Sequence, residues 1–231
     1  MWAIVPIKHL DAGKQRLADV LDGYARHTLS RAMAEDVLSA LAEVRDLDGI
    51  LVVTGDQEVE ELAEEYGTLV LDDIGYRDLN TAVRGGIEYV TAMGTDGVMI
   101  VHADAPLANR NEFELVLAAH RGESGKGPCA TIVPARDEGG TNCLAMSPPD
   151  ALPLCYGEGS YRKHLAAAEA RDITCRTVKL PGIGLDVDTR ADLEALVMAP
   201  GDSKAQQVLR KIGVARRLRT PRFRRPGKLT A

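Results

Sequence analysis

Val98-Met99-Ile100-Val101-His102-Ala103-Asp104 is the stretch on which the fold turns. Four apolar residues stand in an unbroken row, whereas a strand with one wet face would alternate apolar and polar positions. The row therefore reads as a strand covered on both sides. It ends in His102-Ala103-Asp104, with Pro106 just beyond to stiffen the turn. Ile50–Thr54 has the same build, bounded by Gly49 and Gly55, and Ala3–Ile7 is a shorter apolar run near the N-terminus.

Helical spacing fills the gaps between these runs. Tyr24–Val44 carries Leu29, Met33, Val37, Leu41 and Val44 at intervals of three and four, the stripe of an amphipathic helix. Glu58–Tyr66, Asn80–Met93, Glu112–His120, Ser160–Ala170 and Ala191–Val197 read as further helices, and Thr68–Leu71, Ala130–Val133, Asn142–Met146 and Cys175–Leu180 as further strands. Such alternation predicts an α/β domain whose mostly parallel sheet is flanked by helices. In open sheets of this kind ligands sit beyond the carboxyl ends of the strands, so chemically unusual residues should follow strands. They do.

At 231 residues the chain is long enough for one such domain over 1–200, followed by a basic extension over 201–231 that reads as flexible. Apolar residues make up 45% and aromatics only 4%, so the core is aliphatic. No apolar run reaches the length needed to span a bilayer, and the first six residues lack the basic lead of a signal peptide; the expected location is the cytoplasm, with no membrane partner. Cys129, Cys143, Cys155 and Cys175 form no CxxC pair and read as buried free thiols. The extension holds ten Lys or Arg against the single acid Asp202, which leaves the first 200 residues with 18 basic and 33 acidic side chains. An acidic body that binds polyanions must gather its positive charge locally, so the few cations in its loops carry information.

Lys8, Lys14 and Arg16 follow the first strand, with Gly13 among them. Such a loop can wrap a triphosphate with backbone N–H groups while its cations neutralise the charge. It is not a Walker A loop, since Gln15 stands where that motif needs Ser or Thr. The second loop, Asp72–Ala82, has Gly75 for close backbone approach and Asn80 as donor and acceptor toward a base or ribose, while Asp78 or Asn80 could cap the following helix. Asp104, directly after a buried strand, is placed to hold a divalent cation on phosphate oxygens. Asp186 and Asp188 stand two apart, so in extended chain both face one side and one of them could share that cation. Thr189 with Asp192 reads as a capping box. Glu138–Asn142 and Tyr156–His164 each combine glycines with a hydroxyl, and Ser160, followed by Arg162, Lys163 and His164, suggests a helix start that receives a second anion. Two anion sites beside clustered acids suit transfer from one phosphate to another.

Taken together, Val5-Pro6-Ile7-Lys8 with Ala12-Gly13-Lys14-Gln15-Arg16-Leu17, Asp78-Leu79-Asn80-Thr81-Ala82, Ala103-Asp104-Ala105-Pro106, Gly140-Thr141-Asn142, Gly157-Glu158-Gly159-Ser160-Tyr161 and Leu185-Asp186-Val187-Asp188-Thr189 resemble the loops of the 2-phospho-L-lactate guanylyltransferases of coenzyme F-420 biosynthesis. The resemblance runs in order through residues 1–198, and it implies a Rossmann-like fold of the nucleotide-diphospho-sugar transferase type. It further implies GMP transfer from GTP, with Mg2+, to 2-phospho-L-lactate, phosphoenolpyruvate or 3-phospho-D-glycerate, releasing pyrophosphate. By position, Lys8, Lys14 and Arg16 would hold the GTP phosphates, with Lys14, Arg16 and Asp104 catalytic. Gly75 and Asn80 would meet the guanosine. Asp104 with Asp186 or Asp188 would hold the metal, and Thr141, Asn142, Gly157 and Ser160 the acceptor. Gln15 and Ala105 depart from the residues common in the family, and the basic tail lies outside the similarity. The expected chemistry is in-line attack by the acceptor's phosphate oxygen, already an anion near neutral pH, on the α-phosphorus. The rival readings are another nucleotidyltransferase of this fold, and a nucleotide- or RNA-binding regulator that uses the tail. Nucleic acid is not the expected partner, and a homodimer is left open.

Overall fold

A computed structural model describes residues 1–73, 77–123 and 127–219. Seven strands form one sheet: β1 (Trp2–Pro6), β2 (Gly49–Thr54), β3 (Leu69–Asp72), β4 (Val98–Val101), β5 (Cys129–Pro134), β6 (Thr141–Ser147) and β7 (Thr174–Thr177). Their order is β3-β2-β1-β4-β6-β5-β7. β6 runs antiparallel to both β4 and β5, and the other described pairings are parallel. The reversal has a local cause: residues 135–140 alone join β5 to β6, closed by the Ala135 N–H on the Gly140 carbonyl at 3.0 Å. So short a link cannot make the crossover that a parallel neighbour requires.

Eight α-helices are present among the described residues: α1 (Gly23–Ala42), α2 (Gln57–Glu65), α3 (Leu79–Ala92), α4 (Arg110–Arg121), α5 (Ser160–Glu169), α6 (Arg190–Met198), α7 (Lys204–Ile212) and α8 (Val214–Arg219). The unalternating strands are explained by two separate cores. Ala3, Val5, Val52, Met99 and Val101 face one side, with Leu38 of α1 and Phe113 of α4. Ile4, Leu51, Val53 and Ile100 face the other, with Val83 and Val90 of α3. α3 lies so close that a Cβ on Gly86 would stand 3.0 Å from the Ile4 side chain and 3.1 Å from that of Val53. All four cysteines are free thiols, Cys129 and Cys143 buried and Cys155 and Cys175 half-buried. No described helix is long and apolar enough to cross a membrane.

The reading of residues 201–231 as one flexible extension is corrected over its first part. Ala205, Leu209 and Val214 are fully buried in a third core with Leu29 and Met33 of α1 and Leu193 and Leu196 of α6. Ser203 and Gln206 form a capping box at the start of α7, and Asp36 accepts the N–H groups of Lys204 and Ala205 at 2.7 and 2.9 Å. A helical apolar stripe, Ala205, Val208, Leu209 and Ile212, lies among the cations of this segment and packs on that core. Residues 220–231 lie outside the described residues.

Candidate functional site

β1 and β4 are parallel neighbours, so the loops that follow them meet at one rim of the sheet. After β1 the chain passes through two single 3-10 turns, Leu10–Ala12 and Gln15–Leu17. Lys14 lies between them at φ 56° and ψ 34°, a left-handed conformation that costs a side-chain-bearing residue about 1–2 kcal/mol. From there its Nζ reaches Asp104 Oδ2 and Asp188 Oδ1, each at 2.7 Å, with the side chain only 7% exposed. Burial opposes its charge, but the two carboxylates outweigh burial and hold the Lys14 amine above its ordinary range. Asp104 mirrors this: burial would raise its carboxyl, and the Lys14 charge holds it below the usual carboxylate range instead.

A cleft of about 270 Å3 opens above this triad, with Lys8, Ser30 and His102 on its walls and Leu10 and Met33 among its apolar residues. A second lobe of about 230 Å3 continues past Lys8 to Asp73, Arg77 and Asp78. Ser30 Oγ, His102 Nε2 and Asp104 Oδ1 are buried and have no hydrogen-bond partner among the described residues. An unpaired buried polar atom costs about 1–3 kcal/mol, so three around one cleft mark where a ligand's polar atoms belong.

Asp188 arrives on a turn that is pinned from several directions. Buried Glu112 of α4 accepts the N–H groups of Gly182 and Ile183 at 2.8 and 2.7 Å. Asn142 of β6 donates through Nδ2 to the Ile183 carbonyl at 2.9 Å and to Asp186 Oδ1 at 3.0 Å. The Val187 N–H binds the Asp104 carbonyl at 3.0 Å. Asp186 is thereby turned toward Asn142, and burial, reinforced by the nearby charges of Asp104 and Asp188, raises its carboxyl. The Thr189–Asp192 capping box is present and starts α6.

Lys8, Lys14, Asp104 and Asp188 are thus brought together, while other candidates are placed elsewhere. Arg16 is exposed and is not among the cleft's lining residues. The amide of Asn80 is committed to the Tyr156 backbone, accepting its N–H at 2.9 Å and donating to its carbonyl at 3.3 Å, so Asn80 is a clamp in this structure and Asp78 is the cap of α3. Thr141 and Asn142 are buried, at 1% and 2% exposure. The Thr141 hydroxyl pairs with His164 Nδ1 at 3.0 Å, and His164 Nε2 accepts the Cys155 N–H at 3.0 Å, which puts the ring proton on Nδ1. Ser160 is buried as the first residue of α5, whose cap is Gly159 in the left-handed region. Gly157 has φ 119°, which glycine alone adopts freely. Gly75 lies outside the described residues. The two loop systems nevertheless share a border, because the His102 ring packs 5.2 Å from that of Tyr156, the residue before Gly157.

Ser30 and Glu112 carried no role in the sequence reading, and His102 and His164 were named in their loops without one. Glu112 is a first-turn acid of α4, a position acids commonly hold for the helix alone.

The family described as "Guanylyl transferase CofC like" matches residues 1–226. The chain belongs to this family. It is a transferase enzyme, a guanylyltransferase. Phosphoenolpyruvate guanylyltransferase of Sphaerobacter thermophilus is 36% identical over 84% of this chain and 91% of its own length. 3-Phospho-D-glycerate guanylyltransferase of Colwellia psychrerythraea is 32% identical over 90% of this chain and 96% of its own. For 2-phospho-L-lactate guanylyltransferase of Methanothermobacter thermautotrophicus the figures are 32%, 91% and 90%. Among solved structures, a protein of Desulfovibrio desulfuricans G20 classed with the nucleotide-diphospho-sugar transferases superposes at a TM-score of 0.74 over 94% of this chain and 97% of its own. At 18% identity that is a likeness of fold, and it is the fold the guanylyltransferase was expected to have.

Proposed function

We propose that this guanylyltransferase moves GMP from GTP to a small phosphorylated carboxylic acid of the phosphoenolpyruvate, 3-phosphoglycerate and 2-phospho-L-lactate group, in the cytoplasm, as a step toward coenzyme F-420. The observation that carries the reading is the Lys14–Asp104–Asp188 triad at the floor of the two-lobed cleft. Opposite charges set side by side at strand ends suit a metal-bound triphosphate, whose anions and cation each need a partner. In this reading the triphosphate takes the lobe near Lys8 and Lys14, and the base the lobe lined by Asp73 and Arg77.

The residues present fit Mg2+. Asp104 Oδ1 is buried without a partner among the described residues, and Asp104 and Asp188 stand close enough to hold one cation, the Lys14 ammonium, between them. Two carboxylates are what Mg2+ ordinarily takes from a protein when phosphate oxygens and water supply the rest. Asp104 and Asp188 would hold it, with Asp186 oriented toward Asn142 instead; when bound, the ion neutralises charge on the triphosphate.

We assign the acceptor to Gly157 and Ser160 at the N-terminal end of α5, since Tyr156, the residue before Gly157, packs against His102; Thr141 supports α5 through His164, and Asn142 supports the turn that carries Asp186. An oxygen of its phosphate bonds to the α-phosphorus while the bond from that phosphorus to the α,β-bridging oxygen breaks, and pyrophosphate leaves. The attacking oxygen is already anionic, so no side chain needs to remove a proton. Lys8 and Lys14 stabilise the negative charge that shifts onto the leaving pyrophosphate, with Arg16, exposed on the same loop, assigned to the same phosphates. Mass spectrometry of GTP incubated separately with the three acids tests this; absence of a guanylylated product from all of them defeats it.

A further inference from the structure

Lys14 poses a question that its expected role at the phosphates does not answer. Its ammonium group occupies the space between Asp104 Oδ2 and Asp188 Oδ1, at 2.7 Å from each. A divalent cation would need the same oxygens, and two cations cannot share them without strong repulsion. The geometry points to Lys14 as a built-in counter-ion that holds Asp104 and Asp188 until a metal–nucleotide complex displaces it, so that free divalent cation alone binds this enzyme poorly.

This inference rests on the reading of Asp104 and Asp188 as metal ligands. Three further observations support it. The Lys14 side chain is almost fully buried, so metal arriving alone would leave the ammonium uncompensated inside the cleft, a costly outcome. A triphosphate arriving with the metal removes that cost by giving Lys14 a new anionic partner. The loop is also prepared for such a change: Lys14 sits in a left-handed backbone conformation between two single-turn 3-10 helices, and turns of that kind rearrange more readily than an α-helix. Finally, Asp104 keeps Oδ1 unpartnered while Oδ2 binds Lys14, so a metal can approach one oxygen before the ammonium leaves the other.

The test is equilibrium binding of Mn2+, followed by electron paramagnetic resonance, to wild-type protein and to Lys14→Met, without and with GTP. Without GTP, Lys14→Met is expected to bind Mn2+ at least about tenfold more tightly than wild type, and GTP should remove most of that difference. A destabilised Lys14→Met still reports, because bound Mn2+ raises its melting temperature by mass action. Lys14→Gln, which keeps N–H donors but no charge, should fall between the two. Equal Mn2+ affinity of wild type and both variants without GTP, abolished in each by Asp104→Asn, overturns the counter-ion and leaves the metal site standing. Absence of Mn2+ binding in every protein, even with GTP, overturns the metal reading and the inference with it.

Discussion

Glu112 holds Ile183 by a 2.7 Å hydrogen bond from its buried carboxylate to the backbone N–H, and its second oxygen takes the Gly182 N–H at 2.8 Å. These bonds connect α4 to the turn that presents Asp186 and Asp188. The approach is close enough that a Cβ on Gly182 would stand 2.2 Å from the Leu107 carbonyl oxygen. Glu112→Ala should therefore cost about 3 kcal/mol of stability, since two backbone donors lose a charged acceptor. Turnover should also fall in the fraction that stays folded. Urea denaturation and steady-state rates check both; a stable, fully active variant would contradict the role of this bond.

Asp104→Asn should lower kcat by about a hundredfold or more, the scale of losing one preorganised charge at the reacting phosphates. The protein should still fold, because Asp188 remains within 2.7 Å of Lys14. Wild-type release of pyrophosphate from GTP and acceptor would show that Asp104 serves only the fold.

Asn80→Ala separates the two ends of the cleft. Its amide binds the Tyr156 backbone, next to Gly157, so its removal should raise the acceptor KM more than the GTP KM and cost about 1–2 kcal/mol in stability. A rise confined to the GTP KM would restore the guanosine-contacting role that the sequence suggested.

Acid should destabilise the enzyme in a defined window. His120 and His164 are 1% and 0% exposed, and burial lowers each ring from 6.5 to about 4. Folded-state values depressed below the unfolded ones mean that the unfolded chain binds more protons between them. Stability is then complete above pH 6.5 and is lost as pH falls toward 4, by on the order of 3 kcal/mol per histidine. Denaturation midpoints at pH 7, 6, 5 and 4 measure the decline, and His120→Asn should reduce its slope. His120 bonds Thr131 and Ser147 at 3.2 and 2.9 Å, so the variant will begin from a lower plateau.

Truncation after Pro200 should cost several kcal/mol, since it removes the fully buried Leu209 and Val214, each contributing about 1.5–3 kcal/mol. A melting temperature equal to that of the full chain would show that α7 contributes nothing to the fold.

Most elements were legible because their signals are local. Val98–Val101 is a strand with the bounds its apolar row suggested, and the helix expected over Tyr24–Val44 spans Gly23–Ala42. The capping box of Thr189 and Asp192 needed only three residues of spacing. The direction of β6 was less visible, although the short link from Pro134 to Thr141 carried the clue. Within the site, Lys8, Lys14, Asp104 and Asp188 were readable as charged residues at strand ends. Asn80 was not, because an amide's donors and acceptors are the same whether they meet a base or the Tyr156 backbone.

The sequence alone determined an α/β sheet with loops of alternating charge at its strand ends, since apolar periodicity and residue chemistry act over short distances. Tertiary structure alone decided which charges meet. Lys14 and Asp188 are separated by 174 positions, and only the parallel placement of β1 beside β4, with Glu112 and Asn142 fixing the later turn, sets one ammonium between two carboxylates. Nothing in the local composition encodes that distance.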